Sequence, residues 1–94
     1  MRRPEVVALP EISNFFGIRI SMFWSEHLPP HFHAVHQEEE ALVDIRCATV
    51  LQGRLPSSKL KLVLAWAVIH KDDLLRDWEL AAMQSPLEKI EPLR

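Results

Sequence analysis

The sequence predicts an α+β fold: a small antiparallel sheet of three or four strands packed against two C-terminal helices. Residues 18–52 contain short apolar–polar alternations separated by polar turns, which is the pattern of half-buried strands. Residues 58–83 instead carry apolar side chains at helical spacing. Strands that follow one another with short links favour an antiparallel meander, so we expect sequential strands to be neighbours in the sheet.

Length, composition and charge narrow the class of protein. The 94 residues are enough for one domain, and 48% apolar with 26% charged residues is typical of a folded chain. A chain this short buries only a modest core, which is compatible with a homodimer or a bound partner. The net charge of −2 argues against a generally basic nucleic-acid-binding protein, but not against a local basic patch.

The cysteine content and the apolar segments predict a cytoplasmic protein without membrane association. The single cysteine, Cys47, cannot form an internal disulfide, which fits a reducing compartment, and it has no partner at zinc-finger spacing. No signal peptide is recognisable at the N-terminus. The longest apolar run, residues 62–69, is far shorter than the ~20 residues that a membrane-spanning helix needs.

The N-terminal part of the chain is predicted to be an arm followed by the domain. We expect residues 1–9 to be a loosely attached arm and residues 10–94 to form a single α+β domain. Residues 12–16 have the apolar spacing of one short helical turn, which Gly17 can end. Four later segments are predicted as strands: residues 18–24, 31–36, 41–45 and 50–52.

The C-terminal half is predicted to be helical with one break. Ser57 or Ser58 can cap the first helix, and the nearly uniform apolar character of residues 60–70 predicts burial on more than one face, with Trp66 in the core. One unbroken helix over residues 58–83 would be ~39 Å long at ~1.5 Å per residue, which exceeds the width of so small a domain. We therefore expect a break at residues 70–73.

The most informative stretch is residues 26–36, which contains four of the five histidines and two adjacent prolines. Each proline fixes its own φ and biases the preceding residue toward extended conformations, so the stretch enters a strand from a stiff turn. Alternation along that strand places His31 and His33 on one face and Phe32 on the other. This clustering predicts a site.

The histidines allow three interpretations. His31 and His33 can meet one metal ion, with His27 or a carboxylate such as Glu26 as third ligand, because a catalytic zinc site needs three protein ligands and one open position. No complete zinc motif is present, so we expect no tightly bound metal and no cofactor. Alternatively, these histidines act without metal, with His31 or His33 as general base or acid on a phosphodiester. The third interpretation is structural: they pack and hydrogen-bond around the proline turn.

A second candidate site lies at the start of the first predicted helix. Lysines in a first helical turn oppose the helix dipole, so their placement there favours a bound anion, such as a phosphate backbone or an acidic segment of a partner. Scattered charges that only keep the surface solvated explain the pattern equally well. The candidate binding residues are Arg54, Ser57, Ser58, Lys59 and Lys61.

These motifs together resemble the bacterial family known as domain of unknown function 4160. The resemblance rests on Pro-Pro-His-Phe-His at residues 29–33 and on Glu26-His27 before it, and weaker matches extend it over about residues 10–94. Ala48 departs from the pattern, because relatives often place a glycine there. The resemblance implies a small cytoplasmic prokaryotic protein, often encoded beside another small protein as in toxin–antitoxin-like pairs, and it implies no established activity.

Two functions follow as expectations. The first is a small cytoplasmic interaction protein of a toxin–antitoxin-like pair, whose partner is the neighbouring-gene product or RNA. The alternative is a nuclease-like or metal-dependent hydrolase that uses His27, His31 and His33. The two differ in where function lies: on the basic helix start in the first case, and in the histidine cluster in the second.

Overall fold

The structure, a computed structural model, describes residues 11–94; the expected arm of residues 1–9 lies outside the described residues. Five strands form one sheet in the order β1-β2-β3-β4-β5, and every neighbouring pair is antiparallel. This confirms the α+β class and the meander. The elements are β1 (Glu11–Phe15), β2 (Ile18–Ser21), β3 (His31–His36), β4 (Glu39–Asp44), β5 (Thr49–Gly53), α1 (Ser57–Ile69) and α2 (Lys71–Ala82).

The sheet has five strands instead of the predicted three or four, because β1 occupies the segment predicted as a helical turn. Its apolar residues Ile12 and Phe15 are three apart, which in a regular strand would place them on opposite faces. The register of β1 against β2 shifts between Glu11 and Ser13, and this bulge allows both apolar side chains to be buried. A two-residue turn, Phe16-Gly17, follows with positive φ at both residues, as a tight hairpin requires.

Two other connections between strands have features that the alternation in the sequence does not predict. β2 ends at Ser21, whereas the alternation predicts a strand as far as Trp24, and residues 22–30 form a loop. In the β4–β5 turn, Ala48 has a φ of 54°. That left-handed conformation costs an alanine more than it would cost a glycine.

The core lies between one face of the sheet and α1. Trp66 is completely buried, and its ring contacts those of Phe15 and Phe32 at centroid distances of 5.3 and 5.7 Å. Its indole Nε1 donates a hydrogen bond to the carbonyl of Glu91 at 2.8 Å. The prediction that Trp66 is a core residue is confirmed. The prediction of burial on several faces is wrong at the end of α1, where Val68 and Ile69 are exposed.

The break between the helices is confirmed at His70, which separates the last residue of α1 from the first residue of α2. The cap prediction is wrong. Pro56 is the N-cap of α1, and no side chain caps the helix. The carbonyl of Pro56 accepts from the N–H groups of residues 59 and 60, while Ser57 and Ser58 are already inside the helix and exposed.

The two edges of the sheet have different surroundings. At the first edge, the N–H of Ile90 donates to the carbonyl of Ile12 at 2.7 Å, so the C-terminal segment runs beside β1. At the other edge, every residue of β5 is exposed. Neither helix within residues 11–94 combines the length and the apolar character that crossing a membrane requires.

Candidate metal centre

Strand alternation brings His31 and His33 together on one face of β3, as the sequence predicts. Their ring centroids are 5.5 Å apart, and the two residues are only 6% and 9% exposed. The loop of residues 22–30 and helix α2 cover them. The ring centroids of Phe23 and His33 are 4.7 Å apart in an edge-to-face arrangement, and those of Trp78 and His31 are 5.2 Å apart. Aromatic contacts thus hold both imidazoles in a largely water-excluded setting.

Glu26, from the same loop, brings a carboxylate to both histidines. Its Oε1 lies 2.8 Å from Nε2 of His33 and 3.3 Å from Nε2 of His31. One ligand atom from each of the three residues lies within 4.8 Å of the other two. The loop therefore places a carboxylate against two histidines of β3. This loop contains a cis Leu28–Pro29 peptide bond.

The other ring nitrogen of each histidine faces a hydrogen-bond acceptor. Nδ1 of His31 lies 2.8 Å from the carbonyl of Pro29, and Nδ1 of His33 lies 2.7 Å from Oε2 of Glu40. Because a carbonyl and an ionised carboxylate only accept, each Nδ1 donates. In a neutral His31 this leaves the lone pair on Nε2, on the side of Glu26. Nε2 of His33 lies 2.8 Å from Oε1 of Glu26, so this contact has a proton on Nε2 or on the carboxylate, and a metal ion bound there would take the place of that proton. Nε2 of His31 is buried and has no hydrogen-bond partner among the described residues.

A pocket of about 230 Å³ opens beside this group, and Glu26 belongs to both. Its other walls are Phe23, Ser25, Leu28 and Trp78, completed by two adjacent alanines of α2. Solvent therefore reaches the carboxylate from the pocket side, while the histidines lie behind it. The pocket thus gives a small molecule access to the carboxylate of Glu26, whereas neither His31 nor His33 lines it.

The other predicted site residues lie apart from this group. His27 is exposed and is not one of the three clustered groups, so Glu26 and not His27 is the third member. Arg54 pairs with Glu39 at 3.5 Å, and Glu39 is opposite His36 at the far end of β3. At ~3.3 Å per residue, His36 is ~16 Å along the strand from His31 and ~10 Å from His33, so Arg54 does not contact the clustered groups.

The basic helix start does not converge on one point. Nζ of Lys59 donates to the carbonyl of Phe16 at 3.0 Å, which ties α1 to the β1–β2 turn. Ser57, Ser58 and Lys61 are exposed. Arg54 and Lys59 therefore contact different parts of the chain that the structure describes.

Three members of the histidine site were not predicted from the sequence: Glu40, Phe23 and Trp78. Glu40 lies before the strand predicted over residues 41–45, but β4 begins at Glu39, which places Glu40 opposite Val35 and therefore beside His33 on the same face. The sequence signal that could have indicated this was a two-residue turn after His36, which starts the next strand at Glu39. The contact of Trp78 with His31 joins positions far apart in the chain and has no local signal.

The expectation of no bound metal rested on the missing ligand set. The structure removes that reason, because Glu26 completes a set of three potential ligands with His31 and His33. Whether an ion binds there stays a prediction, to be decided by measurement.

Comparison with known proteins confirms the resemblance to one family. Residues 17–79 match the family model described as Domain of unknown function (DUF4160). The matched segment includes Glu26, His31, His33, Glu40 and Trp78. Searches of curated proteins and of solved structures returned no match.

Proposed function

Because the chain belongs to the DUF4160 family, whose description states no activity, we propose a function from the site itself. The protein is a hydrolase that depends on a divalent metal ion, best zinc, bound by Glu26, His31 and His33. One observation carries the proposal: two Nε2 atoms and one carboxylate oxygen converge while both Nδ1 atoms face acceptors.

The two distances from Glu26 to the histidines are close to those around a single ion, and all three ligand atoms lie within 4.8 Å of one another. Ligand atoms bound at about 2.0–2.2 Å in a tetrahedral zinc site are about 3.3–3.5 Å from one another. The contact of Oε1 of Glu26 with Nε2 of His31, at 3.3 Å, already has that length. The contact with Nε2 of His33, at 2.8 Å, needs an opening of about 0.5 Å to match the tetrahedral spacing. A small movement of the Glu26 side chain provides it.

The outer contacts are those that metal-binding histidines make. Such a histidine almost always donates its second N–H to a carboxylate, a backbone carbonyl or water, which fixes the ring orientation and raises the basicity of the binding nitrogen. Pro29 supplies a carbonyl to His31, and Glu40 supplies a carboxylate to His33. Both rings are therefore held with Nε2 toward Glu26 before any ion arrives.

Hydrolysis is the chemistry that this geometry supports best. Two imidazoles and one carboxylate would leave one position of a tetrahedral ion open. The pocket, whose wall includes Glu26, is the route by which water and substrate would reach that position. A zinc-bound water has a pKa near 7, so a hydroxide nucleophile is available at neutral pH. The same ligand types also suit iron(II). Zinc is preferred here because hydrolysis needs no redox partner.

Metal titration of matched variants tests the proposal. Isothermal titration of chelator-treated, untagged protein with zinc should give one ion per chain in the wild type. His31→Gln and His33→Gln should lose this binding, while circular dichroism checks their folding. His27→Ala is the control, because His27 comes from the same stretch but lies outside the cluster. It should bind as the wild type does. Absence of binding in the wild type, or equal binding by folded His31 and His33 variants, contradicts the proposal.

The interaction function is a second candidate, favoured by the exposed edge of the sheet. All five residues of β5 are exposed and none is charged, and such an edge offers free backbone groups to an added strand. A cytoplasmic, toxin–antitoxin-like pairing with the neighbouring-gene product, binding of RNA and a homodimer all stay predictions. The exposed free thiol of Cys47 is compatible with a reducing compartment.

A further inference from the structure

We infer that the pocket beside Glu26 binds an uncharged or cationic substrate with a flat apolar group, and that the bond hydrolysed is a carboxylic ester or amide instead of a phosphodiester. This inference rests on the proposed function and names its substrate class. It chooses between ester or amide hydrolysis and phosphodiester hydrolysis, which are both compatible with the histidine cluster alone.

The charge of the site is the first argument. Among the residues that the structure describes, no lysine or arginine lines the pocket, and Glu26 is its one ionisable wall. The carboxylates of Glu26 and Glu40 offset the two positive charges of a divalent ion. Phosphoryl-transfer sites instead gather arginine, lysine or a second metal ion around the anionic group. The net charge here does not favour an anionic phosphodiester.

The position of the cations outside the pocket is the second argument. Arg54 and Lys59 are anchored at the opposite end of β3, by Glu39 and by the carbonyl of Phe16. That end is ~16 Å along the strand from His31 and ~10 Å from His33 at ~3.3 Å per residue. A single phosphate group that contacts this basic region would therefore not also reach the open metal position.

The shape and lining of the pocket are the third argument. Phe23, Leu28 and Trp78 give it apolar walls, and Leu28 is 76% exposed at its rim. An apolar cavity of ~150 Å³ is large enough for benzene. The pocket, at about 230 Å³, therefore has room for one ring and a few further atoms. Trp78 contacts His31, so a ring stacked on Trp78 would lie next to the metal ligands.

The reaction is a balanced hydrolysis. The oxygen of the bound water forms a bond to the carbonyl carbon of the substrate, and the bond from that carbon to the leaving oxygen or nitrogen breaks. The leaving group takes up the proton that the water releases, which yields a carboxylic acid and an alcohol or amine. No oxidant, reductant or further co-substrate is needed.

Two chromogenic probes with the same leaving group test the inference. Zinc-loaded protein is assayed with p-nitrophenyl benzoate and with bis(p-nitrophenyl) phosphate, each relative to its own uncatalysed rate. Ala82→Phe places a ring in the pocket from an exposed helical position. It should lower kcat/KM for the ester by about tenfold or more, the effect of a steric misfit in an apolar pocket, while one zinc still binds. Met83→Phe is the control, because this exposed neighbour does not line the pocket, and it should leave the rate unchanged.

The outcomes separate this inference from the proposed function. If zinc-loaded protein accelerates hydrolysis of the ester but not of the phosphodiester, and Ala82→Phe blocks this acceleration, the inference and the proposed function are both supported. Preferential hydrolysis of the phosphodiester overturns the substrate class but keeps the metal hydrolase. Ester hydrolysis that Ala82→Phe does not change overturns the role of the pocket. If zinc-loaded protein accelerates neither reaction, both fall.

Discussion

The two ends of strand β3 show different uses of polar side chains. At one end, Glu26, His31 and His33 converge within hydrogen-bond distances in a largely buried setting. At the other end, Arg54 and Lys59 each have a separate partner, and Arg54 has 81% of its side chain exposed. Both regions are clusters in the sequence. Within the described residues, only the first brings its side-chain ligand atoms to one point, which is what binding a small ion requires.

This difference predicts different energetic consequences of substitution. An exposed ion pair contributes about 0–1 kcal/mol to stability, because water and salt screen it. A buried polar group that loses its partner costs about 1–3 kcal/mol. A bound ion also stabilises the folded state, because whatever binds only the folded state stabilises it. The exposed region lacks this contribution.

The largest expected effect is the response of thermal stability to zinc. At a zinc concentration 100 times Kd, binding stabilises the folded state by about 2.7 kcal/mol, which for a domain of this size raises Tm by about 10–20 °C. Glu26→Ala should show no such rise. Arg54→Glu with Lys59→Glu should show the full rise. Differential scanning calorimetry with and without zinc measures the rise in Tm of the wild type and of both variants. If the two variants respond equally to zinc, the two regions do not differ in zinc binding.

The next effect is that of Glu40 on the affinity for zinc. Glu40→Gln weakens the acceptor for Nδ1 of His33 without touching the proposed ligand atoms. Loss of such an outer contact typically lowers metal affinity by about 10–100-fold. Glu38→Gln, in the adjacent exposed turn, is the matched control and should have no effect. Competition with a chromophoric chelator measures the affinities; an unchanged value for Glu40→Gln would mean that this carboxylate does not support the site.

A buried carboxylate on α2 extends the comparison. Burial raises the pKa of Asp77, although its Oδ1 accepts a hydrogen bond from the N–H of Glu88 at 2.8 Å. Because the folded-state pKa is raised, the folded state binds more protons than the unfolded state between the two values. Stability is therefore highest below the unfolded pKa, of about 3.9, and falls as pH rises through the folded pKa.

Asp77→Asn should remove this fall with pH, since the amide oxygen can still accept from Glu88 and carries no charge. Urea unfolding from pH 4 to pH 7 should show the variant gaining stability relative to the wild type as pH rises. Asp72→Asn, at an exposed position of the same helix, should follow the wild type. A constant difference between Asp77→Asn and the wild type across this range would contradict the assignment.

The smallest effect on stability belongs to the basic helix start. Arg54→Glu with Lys59→Glu should change the free energy of unfolding by no more than about 1 kcal/mol, because both side chains make exposed contacts. If this region binds RNA or the neighbouring-gene product, the double variant should lose that binding, and wild-type binding to RNA should weaken as salt rises. Binding that survives in the variant would leave these residues as a solvated surface.

Local patterns predicted the fold well and part of the site. Alternation placed His31 and His33 on one face, and helix length predicted the break at His70. The first strand was missed because the bulge in β1 disrupts its alternation. The choice between His27 and Glu26 stayed open because a proline-containing loop has no periodicity from which side-chain direction can be read. Trp78 joined the site through tertiary packing, which no local pattern encodes.

The most direct test of the central claim is an anomalous difference map at the zinc absorption edge, from crystals of chelator-treated protein grown with one equivalent of zinc. We predict one peak about 2.0–2.2 Å from Oε1 of Glu26 and from Nε2 of both His31 and His33. We also predict that Nδ1 of each histidine keeps its contact with Pro29 or Glu40. A map with zinc only elsewhere on the chain, while the Glu26 carboxylate still bonds directly to His33, would contradict the central claim.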